Sequence, residues 1–299
     1  MNETPSLLRL AHPRNWPVSL AIGAVYAASR LPYRLQPALG GLFGMLFFWC
    51  QPRRRAITRA NIERCFPDAS RGWQKRLVRS HFHSLGMGFI EVMMAWSCPD
   101  SKLPPCRIDG HPNLTEALTK GRGAILLTGH FTALDLGGRY ISRLQPVGAV
   151  YRPANQPLID ALMRRGRARQ ARVAIRRNDL RGFLKALAQN LPVWYASDQG
   201  HTGKNSGWVP FFGVPAPTNL GLSRLAEASG APVVPFFIRR LPHARGYAIE
   251  ILPALESFPC GDPMADALRV HALLETHIRL APAQYLWSHD RFKCHPRQT

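Results

Sequence analysis

The hydrophobic and polar positions divide the chain into two parts near residue 52. Before that point, two apolar runs at 16–29 and 37–50 contain no charged residue. After it, short apolar runs alternate with polar segments whose few apolar residues have helical spacing. The first part predicts one or two apolar helices, and the second predicts strands alternating with helices.

The second part begins with an amphipathic helix, capped by Asp68 or Ser70, in which apolar residues recur at intervals of three and four from Trp73 to Met93. Four apolar runs predict buried strands at 124–128, 147–151, 193–196 and 233–238. Polar segments predict helices at about 156–170, 179–190, 219–229 and 262–280. This alternation predicts an α/β fold, with a mixed sheet layered with helices, preceded by an N-terminal membrane-anchoring helical segment. The predicted boundaries are 1–51 for the anchor and 52–299 for the α/β domain.

Each N-terminal apolar run is shorter than the ~20 residues that a helix needs to cross a bilayer unaided. Basic residues flank the two runs at Arg9, His12, Arg14 and 53–55. We favour a retained anchor, formed by one run or by both as a hairpin, because Trp16, Trp49 and the arginines would then lie among the headgroups. A cleaved signal peptide and a plain pair of buried helices are the alternatives.

Composition narrows the class of protein. With 46% hydrophobic residues the chain is too apolar to be disordered, and its net charge of +21 indicates an anionic partner. That partner could be nucleic acid, an anionic bilayer, an acidic protein or a phosphorylated substrate. The six cysteines form no C-x-x-C pair and no cluster with histidines, so we predict free, buried thiols in a reducing compartment and neither a metal site nor a cofactor.

One His-Asp pair stands at a strand end. His130 and Asp135 lie in G-H-F-T-A-L-D, directly after the predicted strand 124–128. Five residues of regular helix turn by about 500°, so the two side chains can meet only if His130 precedes the helix, and Gly129 makes such a turn feasible. The carboxylate would then hold the imidazole in one tautomer, leaving the other ring nitrogen to take a proton from a hydroxyl.

The spacing alone is weak support for that pair. His111 and Glu116 have the same spacing, but they open a polar helix and follow no strong apolar strand. A structural His130 with an unrelated Asp135 is the alternative. The chain has no G-x-S-x-G motif, which favours direct attack by a substrate hydroxyl over an acyl-enzyme route.

Five ordered blocks carry a family resemblance. They are G-H-F-T-A-L-D-L-G-G, V-Y-R-P-A-N-Q-P-L-I-D with R-R-G-R, W-Y-A-S-D-Q-G, V-P-F-F-G and Y-L-W-S-H-D-R-F-K. Together with H-P-R-N-W and N-I-E-R-C-F-P near the start, they resemble the late acyltransferases of lipid A biosynthesis. The resemblance implies an enzyme on the cytoplasmic face of the bacterial inner membrane. It would move a fatty acyl group from acyl carrier protein to a hydroxyl on a hydroxyacyl chain of the lipid A precursor, in lipopolysaccharide biosynthesis.

The resemblance also implies roles for individual residues. His130 matches the base and Asp135 its partner, a position where many members carry Glu. Arg167, in R-G-R, and Asp198, in S-D-Q-G, match positions that the family treats as functional, and we predict that both bind substrate. The chain departs from the pattern after Asp198, where Gln199 follows, so no role is carried further.

A basic cluster fits the same picture on physical grounds. Its arginines are Arg164, Arg165, Arg167, Arg169, Arg172, Arg176, Arg177 and Arg181. Guanidinium groups bind phosphates in a bidentate fork, so the cluster could bind the lipid A precursor or the acidic carrier protein. A solvated helix face is the alternative. Arg152, in Y-R-P, is a further candidate for substrate binding, whereas Trp287, His289 and Arg291 are expected to pack as a structural cap.

The predicted function is therefore acyl transfer to a lipid A precursor at an anionic inner membrane. Three other functions remain open: acyl transfer to another glycolipid or phospholipid, a basic membrane-surface scaffold, and nucleic-acid binding. The last is disfavoured because the chain lacks the aromatic-rich motifs and groove-reading helices of known modules, so we expect no nucleic-acid partner. Acyl length and the position of the accepting chain are not encoded in any recognisable motif.

Overall fold

The structure, a computed structural model, describes residues 15–154 and 156–293. The basic residues Arg9, His12 and Arg14 and the thiol of Cys294, which entered the sequence predictions, lie outside those residues. In the described part the α-helices, in chain order, are α1 Trp16–Arg30, α2 Gln36–Cys50, α3 Pro52–Cys65, α4 Arg71–Ser97, α5 His111–Thr119, α6 Leu134–Leu144, α7 Pro157–Gln170, α8 Leu180–Ala188, α9 Gly221–Ser229 and α10 Pro263–Leu280.

A seven-stranded mixed sheet lies at the centre of the fold. The strands in chain order are β1 Cys106–Asp109, β2 Ala124–Thr128, β3 Gly148–Tyr151, β4 Val173–Arg176, β5 Pro192–Ala196, β6 Ser206–Phe211, β7 Val214–Asn219, β8 Val233–Arg240 and β9 Tyr247–Ile251. The sheet order is β1-β9-β8-β2-β5-β3-β4, and β6 and β7 form a separate antiparallel hairpin. Only β8 and β9 pair antiparallel within the sheet, which confirms the predicted mixed α/β fold.

The predicted strands correspond to β2, β3, β5 and β8, with ends within two residues of the structure. The strands that the pattern did not predict include the two sheet edges, β1 and β4. Each edge strand has four residues, some of them exposed, so neither forms an apolar run. A short edge strand is stabilised by pairing with its neighbour, which a single-strand pattern does not show.

Helix α2 is joined to α4 by backbone contact. A Cβ atom at Gly44 would overlap the carbonyl oxygen of Phe82, and one at Gly86 would overlap that of Gly40. Only glycine permits this approach, so one face of α2 is fixed to the α/β domain. Within the described residues no helix is long and apolar enough to span a membrane, and the anchor at 1–51 stays a prediction.

The remaining face of the α1–α2 pair is exposed and apolar. Of the 14 exposed large hydrophobic residues in the described chain, eight lie between residues 16 and 49. They are Trp16, Leu20, Tyr26, Leu31, Leu35, Leu42, Leu46 and Trp49. Such a concentration is typical of a surface that contacts a membrane or another protein.

The glycine contact generates a stability prediction. In Gly44→Val the side chain has no space against Phe82, so we expect the free energy of unfolding to fall by about 1–3 kcal/mol or more. Gly23→Ala in α1 is the matched control, because no atom lies within 4 Å of the added methyl group. Urea unfolding measures both variants. A Gly44→Val protein as stable as the parent would show that the two helices do not pack at backbone distance.

Candidate active site

The loop between β2 and α6 carries His130 at the carboxyl end of the sheet. A Cβ atom at Gly129 would lie 2.8 Å from Cδ2 of Leu274, so the backbone at Gly129 packs closely against the Leu274 side chain. Beyond it, the His130 carbonyl accepts a hydrogen bond from the Leu286 amide at 2.9 Å, and the Thr132 amide donates to the Gln284 carbonyl at 2.8 Å. The loop is thus held between the sheet and the C-terminal segment.

His130 is hydrogen-bonded to Asp198. Its Nδ1 lies 2.5 Å from Oδ1 of Asp198, and its backbone amide donates to Oδ2 at 2.9 Å. Sheet register explains the meeting: Thr128 of β2 pairs with Ala196 of the parallel strand β5, and each functional residue follows two positions later. The Asp198 side chain is only 2% exposed, whereas His130 keeps 29% of its side chain accessible.

The contact between His130 and Asp198 shifts both pKa values in the direction that favours the charged forms, the imidazolium and the carboxylate. Burial acts to lower the pKa of His130, but the charge and hydrogen bond of Asp198 outweigh it, so the pKa is raised overall. Burial acts to raise the pKa of Asp198, yet His130 and the Tyr285 hydroxyl, which donates to it, hold the pKa well below its usual range. An ionised Asp198 accepts a hydrogen bond from the Nδ1–H group, which leaves Nε2 of the neutral imidazole free to accept a proton.

Asp135 has different partners from those expected. It lies in the first turn of α6, where its Oδ1 accepts from Nε1 of Trp96 at 3.3 Å and lies 3.8 Å from a guanidinium nitrogen of Arg167. The partner predicted for the imidazole must therefore be changed from Asp135 to Asp198. The reason is geometric, because adjacent strand ends bring Asp198 into contact while Asp135 projects from the following helix towards Arg167.

A cleft of about 380 Å³ opens over the ends of β2, β3 and β5. His130 and Asp135 both line it, together with the cationic side chains of Arg152, Arg167 and Arg177. Its apolar lining comprises Leu134, Val150, Tyr151, Trp194, Tyr195 and Ala196. The combination of a proton acceptor, cationic side chains and apolar walls fits a substrate with both phosphates and hydrocarbon chains.

Of the residues predicted to bind substrate, Asp198 is instead the buried partner of His130. The arginines divide between the cleft and the surface. Arg167 donates to the Val150 carbonyl at 3.2 Å and lies over the Tyr151 ring, which fixes its guanidinium at the cleft wall. Arg164 and Arg165 are exposed on α7 and do not line the cleft, and Arg164 is 3.3 Å from Asp160. Arg177 lines the cleft, although no feature of the sequence separates it from its basic neighbours.

The alternative pair with the same spacing, His111 and Glu116, does not line the cleft. His111 is the first residue of α5, and Glu116 lies on the same helix. The C-terminal residues pack as expected of a structural cap: Trp287 is 1% exposed, and Arg291, 3% exposed, donates to the Pro217 carbonyl and to Thr218. The five described cysteines are unpaired, and Cys65 and Cys98 are the two that are buried as predicted.

A buried ion pair behind the loop was missed by sequence reasoning. Glu91 is fully buried and receives two hydrogen bonds from the Arg240 guanidinium, at 2.6 and 2.7 Å. Tyr247 donates a third at 2.7 Å, and Arg240 also reaches Thr132 of the His130 loop at 3.3 Å. The available signal was a single acid, Glu91, within the long apolar stripe of α4.

This ion pair generates a second stability prediction. Glu91→Gln leaves the Arg240 guanidinium buried without a counter-charge, so we expect a loss of about 3–5 kcal/mol in the free energy of unfolding. Asp109→Asn removes an exposed ion pair with Arg107 and should cost about 1 kcal/mol or less. Denaturant unfolding measures both. Equal small losses would contradict a structural role for the buried pair.

Comparison with known proteins identifies the family of the chain. The family model for bacterial lipid A biosynthesis acyltransferases matches residues 4–294. The chain is 38% identical to the lipid A biosynthesis lauroyltransferase of Escherichia coli K12, covering 96% of this chain and 94% of that protein. It is 37% identical to the lipid A biosynthesis palmitoleoyltransferase of the same strain, with 95% and 94% covered. A lipid A biosynthesis acyltransferase of Haemophilus influenzae is 35% identical, with 95% and 92% covered. The chain therefore belongs to the bacterial lipid A biosynthesis acyltransferase family, whose members act in lipopolysaccharide synthesis.

Proposed function

We propose that this acyltransferase moves a fatty acyl group from acyl carrier protein to a hydroxyl on a hydroxyacyl chain of a lipid A precursor, with His130 as the general base. The observation that carries the proposal is the hydrogen bond from Nδ1 of His130 to the buried Asp198. It fixes the tautomer and leaves Nε2 as the proton acceptor at the cleft of about 380 Å³ that His130 lines.

The proposed reaction uses that nitrogen twice. Nε2 of His130 takes the proton of the substrate hydroxyl while the oxygen attacks the acyl carbonyl of the donor. The tetrahedral intermediate then collapses, the bond to the carrier breaks, and the leaving group receives the proton from the imidazolium. Asp198 stabilises the transient imidazolium through its charge, which is the same effect that raises the pKa of His130 in the resting protein.

Asp135 and Arg167 have a supporting role in this proposal. The carboxylate of Asp135, 3.8 Å from Arg167, faces a guanidinium that is also fixed by the Val150 carbonyl. A cation held in this way can bind a substrate phosphate or the negative charge that develops on the acyl oxygen. Arg152 and Arg177, which line the same cleft, provide further positive charge for the phosphates of the lipid A precursor.

The basic surface next to the cleft suits the donor. Arg164 and Arg165 extend outward from α7, the helix that also carries Arg167. An acidic carrier protein docked on this exposed face would have its acyl group close to the cleft. Complementary charge of this kind mainly increases the rate at which the two proteins associate, and salt weakens this effect by screening the charges.

A position on the inner membrane, with the cleft on its cytoplasmic face, would bring the lipid acceptor to the enzyme. Its support is the exposed apolar face of the α1–α2 pair, described above. The start of α1 contacts the N-terminal cap of α7, the helix that carries the cleft residue Arg167, because Nε2 of Gln156 donates to Oδ1 of Asn15 at 3.4 Å. An α1–α2 pair lying in the headgroup region would therefore place the cleft near the bilayer surface.

The first functional prediction concerns the base. His130→Ala should lower the rate of acyl transfer by about 10²–10⁴-fold, because the hydroxyl loses its proton acceptor. His111→Ala is the matched control and should leave the rate near that of the parent. Mass spectrometry of the acylated product measures both, after circular dichroism shows that the variants fold. A His130→Ala enzyme with near-parental turnover would contradict the assignment.

The second functional prediction concerns pH. His130 must be neutral to act as a base, so the rate should rise with pH through its raised pKa. Asp198→Asn removes the effect that raises this pKa, leaving burial and Arg167 to lower it, so the acidic limb should move to lower pH while the maximal rate falls. Asp135→Asn should lower the rate with little movement of the limb, since its effect on His130 is the smallest of the causes. The pH dependence of kcat/KM distinguishes the two. A limb that moves in Asp135→Asn and not in Asp198→Asn would reverse the roles.

A further inference from the structure

A second concave site lies apart from the cleft, between α3 and the first half of α4. It encloses about 350 Å³, and Phe48 and Val78 contribute its apolar surface. Four cationic side chains surround it: Arg59, Arg71, Lys75 and Arg79. We call this site the basic recess. None of its lining residues lines the cleft that contains His130.

The positive charge of the basic recess is poorly neutralised. Among the described residues, Glu63 is the one acidic residue that lines it. Within the described residues no carboxylate lies within 4.0 Å of any of the four cations. Arg71 is also the first residue of α4, whose N-terminal end adds partial positive charge to the same site. The recess therefore attracts an anion, and guanidinium groups favour phosphate.

The basic recess borders the exposed apolar face of α2. Phe48 lines the recess, and the guanidinium of Arg55 lies over the rings of both Phe48 and Trp49, 4.9 and 5.7 Å from their centroids. Trp49 continues an exposed stripe that includes Leu46 and Leu42, at helical spacings of three and four. A ligand with one phosphate and two hydrocarbon chains matches this arrangement of a cationic recess beside an apolar stripe.

We propose that the basic recess binds the headgroup phosphate of an anionic phospholipid, whose acyl chains lie along the exposed face of α2. This rests on the membrane position in the proposed function and adds to it a defined lipid site, separate from the substrate cleft. The occupant is a lipid rather than the carrier protein because the recess is concave and continuous with the apolar surface at Phe48 and Trp49. Together with the α1–α2 face, the site sets the orientation of the enzyme on the bilayer.

The test measures partition of the full-length protein onto vesicles of phosphatidylcholine with and without phosphatidylglycerol. The triple variant Arg71→Gln, Lys75→Gln, Arg79→Gln should bind phosphatidylglycerol vesicles about a hundredfold more weakly, since each basic residue near an anionic surface contributes roughly fivefold. Its partition onto pure phosphatidylcholine should not change. The control variant Arg122→Gln, Arg224→Gln, Arg245→Gln removes the same number of charges from exposed positions outside the recess. Its affinity for phosphatidylglycerol vesicles should fall far less.

Three results would overturn the proposal. Equal losses in the two triple variants would show only diffuse attraction of a basic protein, and an unchanged recess variant would show no lipid site. Weaker binding of acyl carrier protein by the recess variant, with unchanged vesicle partition, would make the recess a protein-docking surface. Lys75→Glu alone, at an exposed helix position, should weaken partition in the same direction and guards against misfolding of the triple variant.

Acyl transfer in detergent micelles separates this proposal from the proposed function. There the recess variant should keep the parental rate, because the recess contributes no residue to the cleft. A parent protein that transfers no acyl group would refute the proposed function, while the vesicle comparison would still decide the lipid site.

Discussion

The hydrogen-bonded pair of His130 and Asp198 is the interaction on which the site depends. A carboxylate that is 2% exposed is costly unless its charge is compensated, and here both its oxygens accept hydrogen bonds from His130. Sheet register makes this compensation local, because β2 and β5 end at the same level. The same contact that keeps Asp198 ionised orients the imidazole, so the stability of the loop and the chemistry proposed for it have one physical cause.

The rest of the fold restricts the movement of that pair. From one side, the ion pair of Glu91 and Arg240 reaches the loop through Thr132. From the other, the C-terminal segment holds the His130 carbonyl and places the Tyr285 hydroxyl on Asp198. Because these supports come from α4, from β8 and from the end of the chain, the site requires the complete domain.

Whether a feature of the fold or the site could be predicted depends on how far apart in the sequence its interacting residues lie. The central strands, the long helices and the position of His130 after β2 could be predicted, because they depend on apolar runs and on nearest neighbours along the chain. The partner of His130 could not, since Asp198 is 68 residues away and meets it only through the pairing of β2 with β5. Resemblance to the family marked Asp198 as functional without assigning it to the imidazole. Arg164 and Arg177 show the same limit, because only the tertiary structure separates the cleft from the surface.

The most direct test of this account is the protonation of the His130 ring, observed by nitrogen-15 NMR of histidine-labelled protein. Above the pKa of His130, the account predicts a proton on Nδ1 and none on Nε2, with the Nδ1 proton strongly deshielded by its bond to Asp198. The signal should persist in Asp135→Asn and disappear in Asp198→Asn. A proton on Nε2 in the parent protein, or a signal that depends on Asp135 and not on Asp198, would contradict the central claim.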